Sequence, residues 1–219
     1  AKHGLFWAPD PSSAPFCTIG GNLACNAGGP RAVKYGASRD NTLALRCIDG
    51  GGRLHRLGSR TTKGATGYDL MRLVIGSEGT LALIGEATLK LLPKPEAVRT
   101  LRALYRDVET AAAAVARLMR QPQVPCALEF MDTEAVRLAR EVGGADIPAA
   151  GALLMIEVDG PEVAMASAVA AIERAAAGEG LLQIDAAASD AETARLWAAR
   201  KALSPALKHV APRKINEDV

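Results

Sequence analysis

Two prolines flank a single lysine at Pro93-Lys94-Pro95 and divide the chain into halves of different texture. Proline fixes φ, lacks an amide hydrogen and pushes the residue before it out of the helical region. No helix or central strand runs through such a triplet, so we place a domain boundary here, giving domains 1–96 and 97–219. With 219 residues the chain has room for a core on each side.

The first half is organised around Thr18-Ile19-Gly20-Gly21-Asn22-Leu23-Ala24-Cys25-Asn26-Ala27-Gly28-Gly29. Glycine weakens a helix or strand by about 0.5–1 kcal/mol relative to alanine, so stability does not explain four glycines in this stretch. What glycine permits is close approach of the backbone, with bare N–H groups aimed at a guest. Thr18 can cap a short helix, and amides at a helix start suit an anion such as a phosphate-bearing cofactor. The same composition also fits a flexible surface loop. Around it, residues 1–16 read as a proline-rich loop and 30–36 as irregular. Asn41–Asp49 and Arg53–Leu57 form a hairpin across Gly50-Gly51-Gly52. A short helix is expected over Tyr68–Ile75, a tight turn at Gly76–Thr80, and a pair of strands at Leu81–Ile84 and Ala87–Leu92.

After Pro95, strands alternate with alanine-rich amphipathic helices. Strands are expected at Leu101–Tyr105, Ala127–Met131, Ala152–Val158 and Leu181–Ile184. Helices follow at Asp107–Arg120, from Asp132 to about Val142, and at Pro161–Ala177, with Asp107 and Asp132 as caps. Ser189-x-x-Glu192 is a capping box that opens the last helix. Four strands each followed by a helix imply an α+β or α/β layer, a sheet backed by helices.

Several classes are excluded by what the chain lacks. A net charge of +2, without basic clusters interleaved with aromatics, argues against nucleic acid. Cys17, Cys25, Cys47 and Cys126 are widely spaced with no C-x-x-C pair, which fits a reducing compartment better than zinc or a disulfide framework. No apolar run is long enough to span a membrane and no signal-peptide pattern opens the chain, so the cytoplasm is expected. The P-loop, the G-x-G-x-x-G fingerprint and the G-x-S-x-G elbow are absent. His3, His55 and His209 are far apart, and no metal site can be assembled. Ala1 is no initiator and Val219 no evident end, so the chain reads as a segment of a longer polypeptide.

The motifs themselves point further. Pro9-Asp10-Pro11-Ser12-Ser13, Thr18–Asn22 with Asn26–Gly29, Lys34-Tyr35-Gly36, Thr66–Leu70 and Gly76–Leu81 resemble, in order, signatures of the FAD-linked oxidases of the vanillyl-alcohol oxidase type. Within that family the likeness is to glycolate oxidase FAD subunits and D-lactate dehydrogenases. It covers roughly residues 4–96, and Trp197–Arg200 with Lys214–Asp218 extend it to the second half. The resemblance implies an α+β protein: the second lobe of a PCMH-type FAD-binding domain, then a ferredoxin-like α/β cap. It also implies FAD contacts from Pro9, Asp10, Thr18, Ile19, Gly20, Gly21, Asn22, Cys25, Asn26, Gly28, Glu78, Gly79 and Ile84. Cys25 resembles a flavin-attached or redox cysteine, but we read it as a small packing residue, since thiol reactivity needs a lowered pKa.

In the cap, Arg200 matches a position near the substrate carboxylate, which a guanidinium can hold through two hydrogen bonds. Lys214 matches a second substrate-side position, and Ser204 falls one turn beyond Arg200. Two parts of the family pattern are not in this sequence: the first flavin lobe with its glycine-rich loop, and a histidine-rich metal and catalytic motif. We therefore expect an FAD-dependent dehydrogenase of a small 2-hydroxy acid that passes electrons to a partner subunit or quinone. An oligomer is expected, and this chain alone should hold FAD weakly or not at all. Competing readings keep the fold but change the substrate to an alcohol or a cell-wall sugar nucleotide, or lose the chemistry and leave an interaction subunit.

Overall fold

The computed structural model describes residues 3–210. The chain divides into two compact units, Ala1–Lys94 and Pro95–Val219.

Unit 1 contains a three-stranded antiparallel sheet of β2 (Thr42–Asp49), β3 (Leu54–Gly58) and β4 (Ala82–Leu89), in the order β3-β2-β4. A separate short pair joins β1 (Leu5–Phe6) to β5 (Leu92–Pro93). The β2–β3 turn is closed by Asp49, whose carboxylate accepts the amides of Gly51 at 2.8 Å and Arg53 at 3.0 Å. Three short helices complete the unit: α1 (Ile19–Ala24), α2 (Ala32–Tyr35) and α3 (Leu70–Val74). Leu23, Leu45, Cys47, Met71, Val74, Ile75 and Ala82 form its core.

Two expectations for this unit are corrected. The proposed strand pair at 81–92 is the single strand β4. Its register against β2 steps from Arg46↔Glu86 to Cys47↔Ile84, which leaves Gly85 as an extra residue. A bulge breaks the alternation of side chains much as a turn does, and so imitates one in sequence. The stretch expected to be irregular, 30–36, contains the single helical turn α2, ended by Gly36 in a positive-φ conformation.

Unit 2 runs β6 (Ala97–Tyr105), α4 (Val108–Arg120), β7 (Ala127–Met131), α5 (Thr133–Glu141) and β8 (Ala152–Gly160). A 3₁₀ turn at Glu162–Ala164 then leads into α6 (Met165–Ala176), β9 (Leu181–Ala186) and α7 (Asp190–Val210). Asp107 and Asp132 cap α4 and α5, accepting the amides of Thr110 and Ala135, each at 2.8 Å. All neighbouring strands are antiparallel, in the order β7-β8-β6-β9.

The helices cover both faces of this sheet. Leu101, Ala103, Tyr105, Leu154 and Ile156 pack with residues of α4 and α6. Leu104, Met131, Leu153 and Met155 pack with α5 and α7. Consequently β8 is buried continuously from Ala152 to Asp159, the pattern of a strand with helices on both sides. Tyr105 is fully buried; its hydroxyl donates to the Ala176 carbonyl at 2.9 Å, and burial pushes the phenol up to about 12.

A large-to-small change in the middle of β8 should therefore be costly. Leu154→Ala is expected to destabilise unit 2 by about 3 kcal/mol. Leu83→Ala on unit 1, where the side chain is 71 % exposed, should change stability by less than about 0.5 kcal/mol. Denaturant unfolding of both variants measures this, and equal losses would contradict the described cores.

Candidate functional site

Helix α1 has only six residues, so packing and hydrogen bonds from elsewhere must hold it. Thr18 caps it, its hydroxyl oxygen accepting the Gly21 amide at 3.0 Å. At the other end, Gly76 N–H donates to the Leu23 carbonyl and Glu78 N–H to the Ala24 carbonyl, each at 3.0 Å. The Asn26 carboxamide oxygen accepts the Arg39 amide at 2.9 Å, and Arg39 Nη2 donates to the Ile75 carbonyl at 2.7 Å. Ser38 donates both its amide (3.0 Å) and its hydroxyl (2.6 Å) to the Ala27 carbonyl. The structure thus ties stretches 18–29, 36–41 and 75–80, separate in sequence, into one knot.

Side chains that sequence reasoning did not single out do much of this tying. Asn41 is buried at the hub: its Nδ2 donates to the carbonyls of Tyr35 (2.8 Å) and Ala37 (2.9 Å). Its own carbonyl accepts the Trp7 indole N–H at 3.1 Å. Ser38 and Arg39 share this role. The usable signal was a run of hydroxyl, guanidinium and amide groups immediately before a buried strand, where polar groups need partners.

The proposed cofactor residues separate into two groups. Thr18, Ile19, Gly20 and Gly21 form the exposed first turn of α1, whose leading amides have no intrahelical acceptor. A Cβ placed on Gly20 would meet nothing within 4 Å, so this surface is open to a ligand's approach. Glu78 and Gly79 are also exposed, and Glu78 holds a left-handed conformation at φ 52, unusual for a residue with a side chain. Asn22 is buried; Pro9, Asp10, Asn26, Gly28 and Ile84 are buried or half-buried.

Within that second group Asp10 accepts the Arg31 amide at 3.0 Å and pairs with its guanidinium at 3.6 Å. Ile84 packs against the core of unit 1. Cys25 is exposed, not packed as expected, and sits at the C-cap of α1. Among the described residues no cluster of His, Cys, Asp or Glu could hold a metal, no disulfide forms, and no helix is long and apolar enough to cross a membrane.

In unit 2, Arg200 lies on α7, its Nε donating to Glu129 Oε2 on β7 at 2.8 Å. Three residues earlier, the Trp197 indole donates to Glu157 Oε1 at 2.7 Å, and the same oxygen accepts the Thr100 hydroxyl at 2.9 Å. On the same face Arg102 Nη2 bonds Asp185 at 2.9 Å. Burial works to raise the Asp185 carboxyl, but hydrogen bonds from Gln183 and Arg102 overcome it and leave it below its ordinary value. Lys214 and the side chain of Ser204 lie outside the described residues.

Comparison with known proteins gives these sites their context. Residues 94–219 match the C-terminal domain of FAD linked oxidases, and residues 1–58 match an FAD binding domain. The chain belongs to the FAD-linked oxidase family, and FAD is its cofactor. It is 38 % identical over 218 residues to the glycolate oxidase subunit GlcD of Bacillus subtilis, covering 99 % of this chain and 46 % of the relative. It is 36 % identical to a D-lactate dehydrogenase of Anaerostipes hadrus, over 94 % of this chain and 45 % of that protein. A D-2-hydroxyglutarate dehydrogenase of Xanthomonas citri is 34 % identical, with 100 % and 47 % covered. The chain thus spans about half the length of these relatives. A solved structure of alkyldihydroxyacetonephosphate synthase shares the fold at TM-score 0.67 and 24 % identity, over 95 % of this chain and 40 % of that one.

The exposed first turn of α1, where Gly20 and Gly21 carry no side chain, fits a diphosphate-bearing cofactor, and the glycines around it have unequal duties. Gly29 has φ 139, and a Cβ there would overlap the Asp10 backbone. Gly29→Ala should therefore destabilise unit 1 by more than about 1 kcal/mol. Gly20→Ala, in open space on a helix, should leave stability unchanged or raise it by up to about 1 kcal/mol. Thermal unfolding of the two variants decides this; an equal loss in both would refute the division.

Proposed function

We propose that the whole protein oxidises a small 2-hydroxy acid of the glycolate or D-lactate type and passes the electrons to a partner subunit or quinone. The observation that carries this reading is the chemistry shared by the relatives' names: glycolate, D-lactate and D-2-hydroxyglutarate all bear a hydroxyl beside a carboxylate. Bound FAD supplies the acceptor for the hydride leaving the hydroxyl-bearing carbon. A relative named as a subunit supports a protein partner for the electrons.

In this reading unit 1 is the second lobe of a PCMH-type flavin domain, and unit 2 is a ferredoxin-like cap. The antiparallel order β7-β8-β6-β9, with crossover helices α4 and α6 on one face, supports the latter. Ile19 and Gly20 offer backbone donors and Thr18 a hydroxyl to the cofactor, and Gly21, its amide engaged by the Thr18 cap, lets the backbone approach closely. Asn22, Cys25, Asn26 and Gly28 shape that wall, as do Glu78, Gly79 and Ile84, and Pro9 and Asp10 brace it. Arg200 holds the substrate carboxylate, and by resemblance Lys214 is a second residue that acts on substrate. That grip fixes the reacting carbon, and orientation of this kind is a large part of what a binding site contributes to rate.

Anaerobic mixing of the FAD-loaded whole protein with glycolate or D-lactate should bleach the flavin absorbance. Arg200→Lys, which loses the planar fork, should raise KM about tenfold or more. Oxidised flavin after prolonged mixing with either acid would refute the proposal, and an unchanged KM would remove Arg200 from the site.

A further inference from the structure

A guanidinium offers two edges for bidentate bonding: Nε with one Nη, or the two Nη groups together. The hydrogen bond from Arg200 Nε to Glu129 Oε2 at 2.8 Å occupies the first edge. Among the described residues Glu129 is the one partner of Arg200, and its side chain is 37 % exposed against 20 % for Glu129. The half-buried carboxylate therefore holds the inner edge of the guanidinium and leaves the outer edge turned away from it.

The helix carrying Arg200 is itself indexed against the same strands. Trp197 precedes Arg200 by three residues, about 4.5 Å along the helix axis, and its indole is bonded to Glu157 on β8. Across β7 and β8, Ala127 pairs with Glu157 and Glu129 with Met155, so the two carboxylates are diagonal neighbours on one sheet face. Successive turns of α7 grip successive rows of the sheet, which fixes the rotation of the helix at Arg200.

We infer that Glu129 is a positioning residue for substrate: it anchors Arg200 through Nε, so that the two Nη groups present a fixed end-on edge to the carboxylate of a 2-hydroxy acid. This rests on the reading of Arg200 as the carboxylate-binding residue. The reach of the Glu129 side chain is what matters, more than its charge. A glutamine keeps an acceptor oxygen at the same distance, whereas an aspartate keeps the charge and falls one methylene short.

The test is steady-state kinetics of the FAD-loaded whole protein on glycolate and D-lactate, comparing Arg200→Lys, Glu129→Gln and Glu129→Asp, with melting temperatures alongside. Glu129→Gln should stay within about twofold of wild-type KM, while Glu129→Asp raises KM about tenfold with kcat little changed. If Arg200→Lys leaves KM unchanged, the substrate-binding reading fails and this inference with it. If Arg200→Lys raises KM but Glu129→Asp does not, the inference alone is overturned, and a lowered melting temperature there would make the pair a tether only. Equal rises for Gln and Asp would also overturn it, because charge rather than reach would then be responsible.

Discussion

The candidate cofactor wall depends on two hydrogen bonds, from the amides of Gly76 and Glu78 to the carbonyls of Leu23 and Ala24. A six-residue helix has too few internal bonds to persist in water, and its last carbonyls need donors from outside. Here the amides of Gly76 and Glu78, in a turn far along the chain, supply them. The left-handed conformations of Asn26 and Glu78 and the buried Asn41 hub follow from the same need, since each bends backbone or supplies a donor where the segments meet. Each bond is modest, on the order of 1 kcal/mol. Together they hold the first turn of α1, with its exposed Gly20 and Gly21, in place.

Unit 2 solves a different problem. Its sheet is covered on both faces, so polar groups on the α7 side are drawn partly out of water and need partners. Glu157 with Trp197 and Thr100, Arg102 with Asp185, and Glu129 with Arg200 meet that requirement. The pairing that keeps these groups tolerable in a covered face also fixes α7 against the strands, and with it the direction of Arg200. Stability and a specific guanidinium geometry thus arise from one set of contacts.

Much of the local structure was readable in the residues. Thr18, Asp107 and Asp132 are caps because short acceptor side chains precede the helical runs, and β7 begins and ends where alternation and turn residues place it. What could not be read are relations between distant segments. The β4 bulge depends on register against β2, and a sequence break at Gly85 is equally consistent with a turn. The partner of Arg200 lies 71 positions away, and a lone glutamate on a strand gives no periodic signal. The knot's motifs were recognisable by resemblance, but nothing in the residues marked Asn41, at the start of a strand, or Ser38 before it as the groups that bind them together. Cys25, expected to pack, is exposed at the C-cap of α1.

Amide hydrogen exchange of the whole protein with and without FAD reads the proposed role of the first turn of α1, held by the Gly76–Glu78 turn, as a wall of the FAD site. The amides of residues 18–21 should become protected when FAD is bound, while β8, already buried, changes little. Full FAD binding with unchanged exchange across residues 18–21 would contradict it.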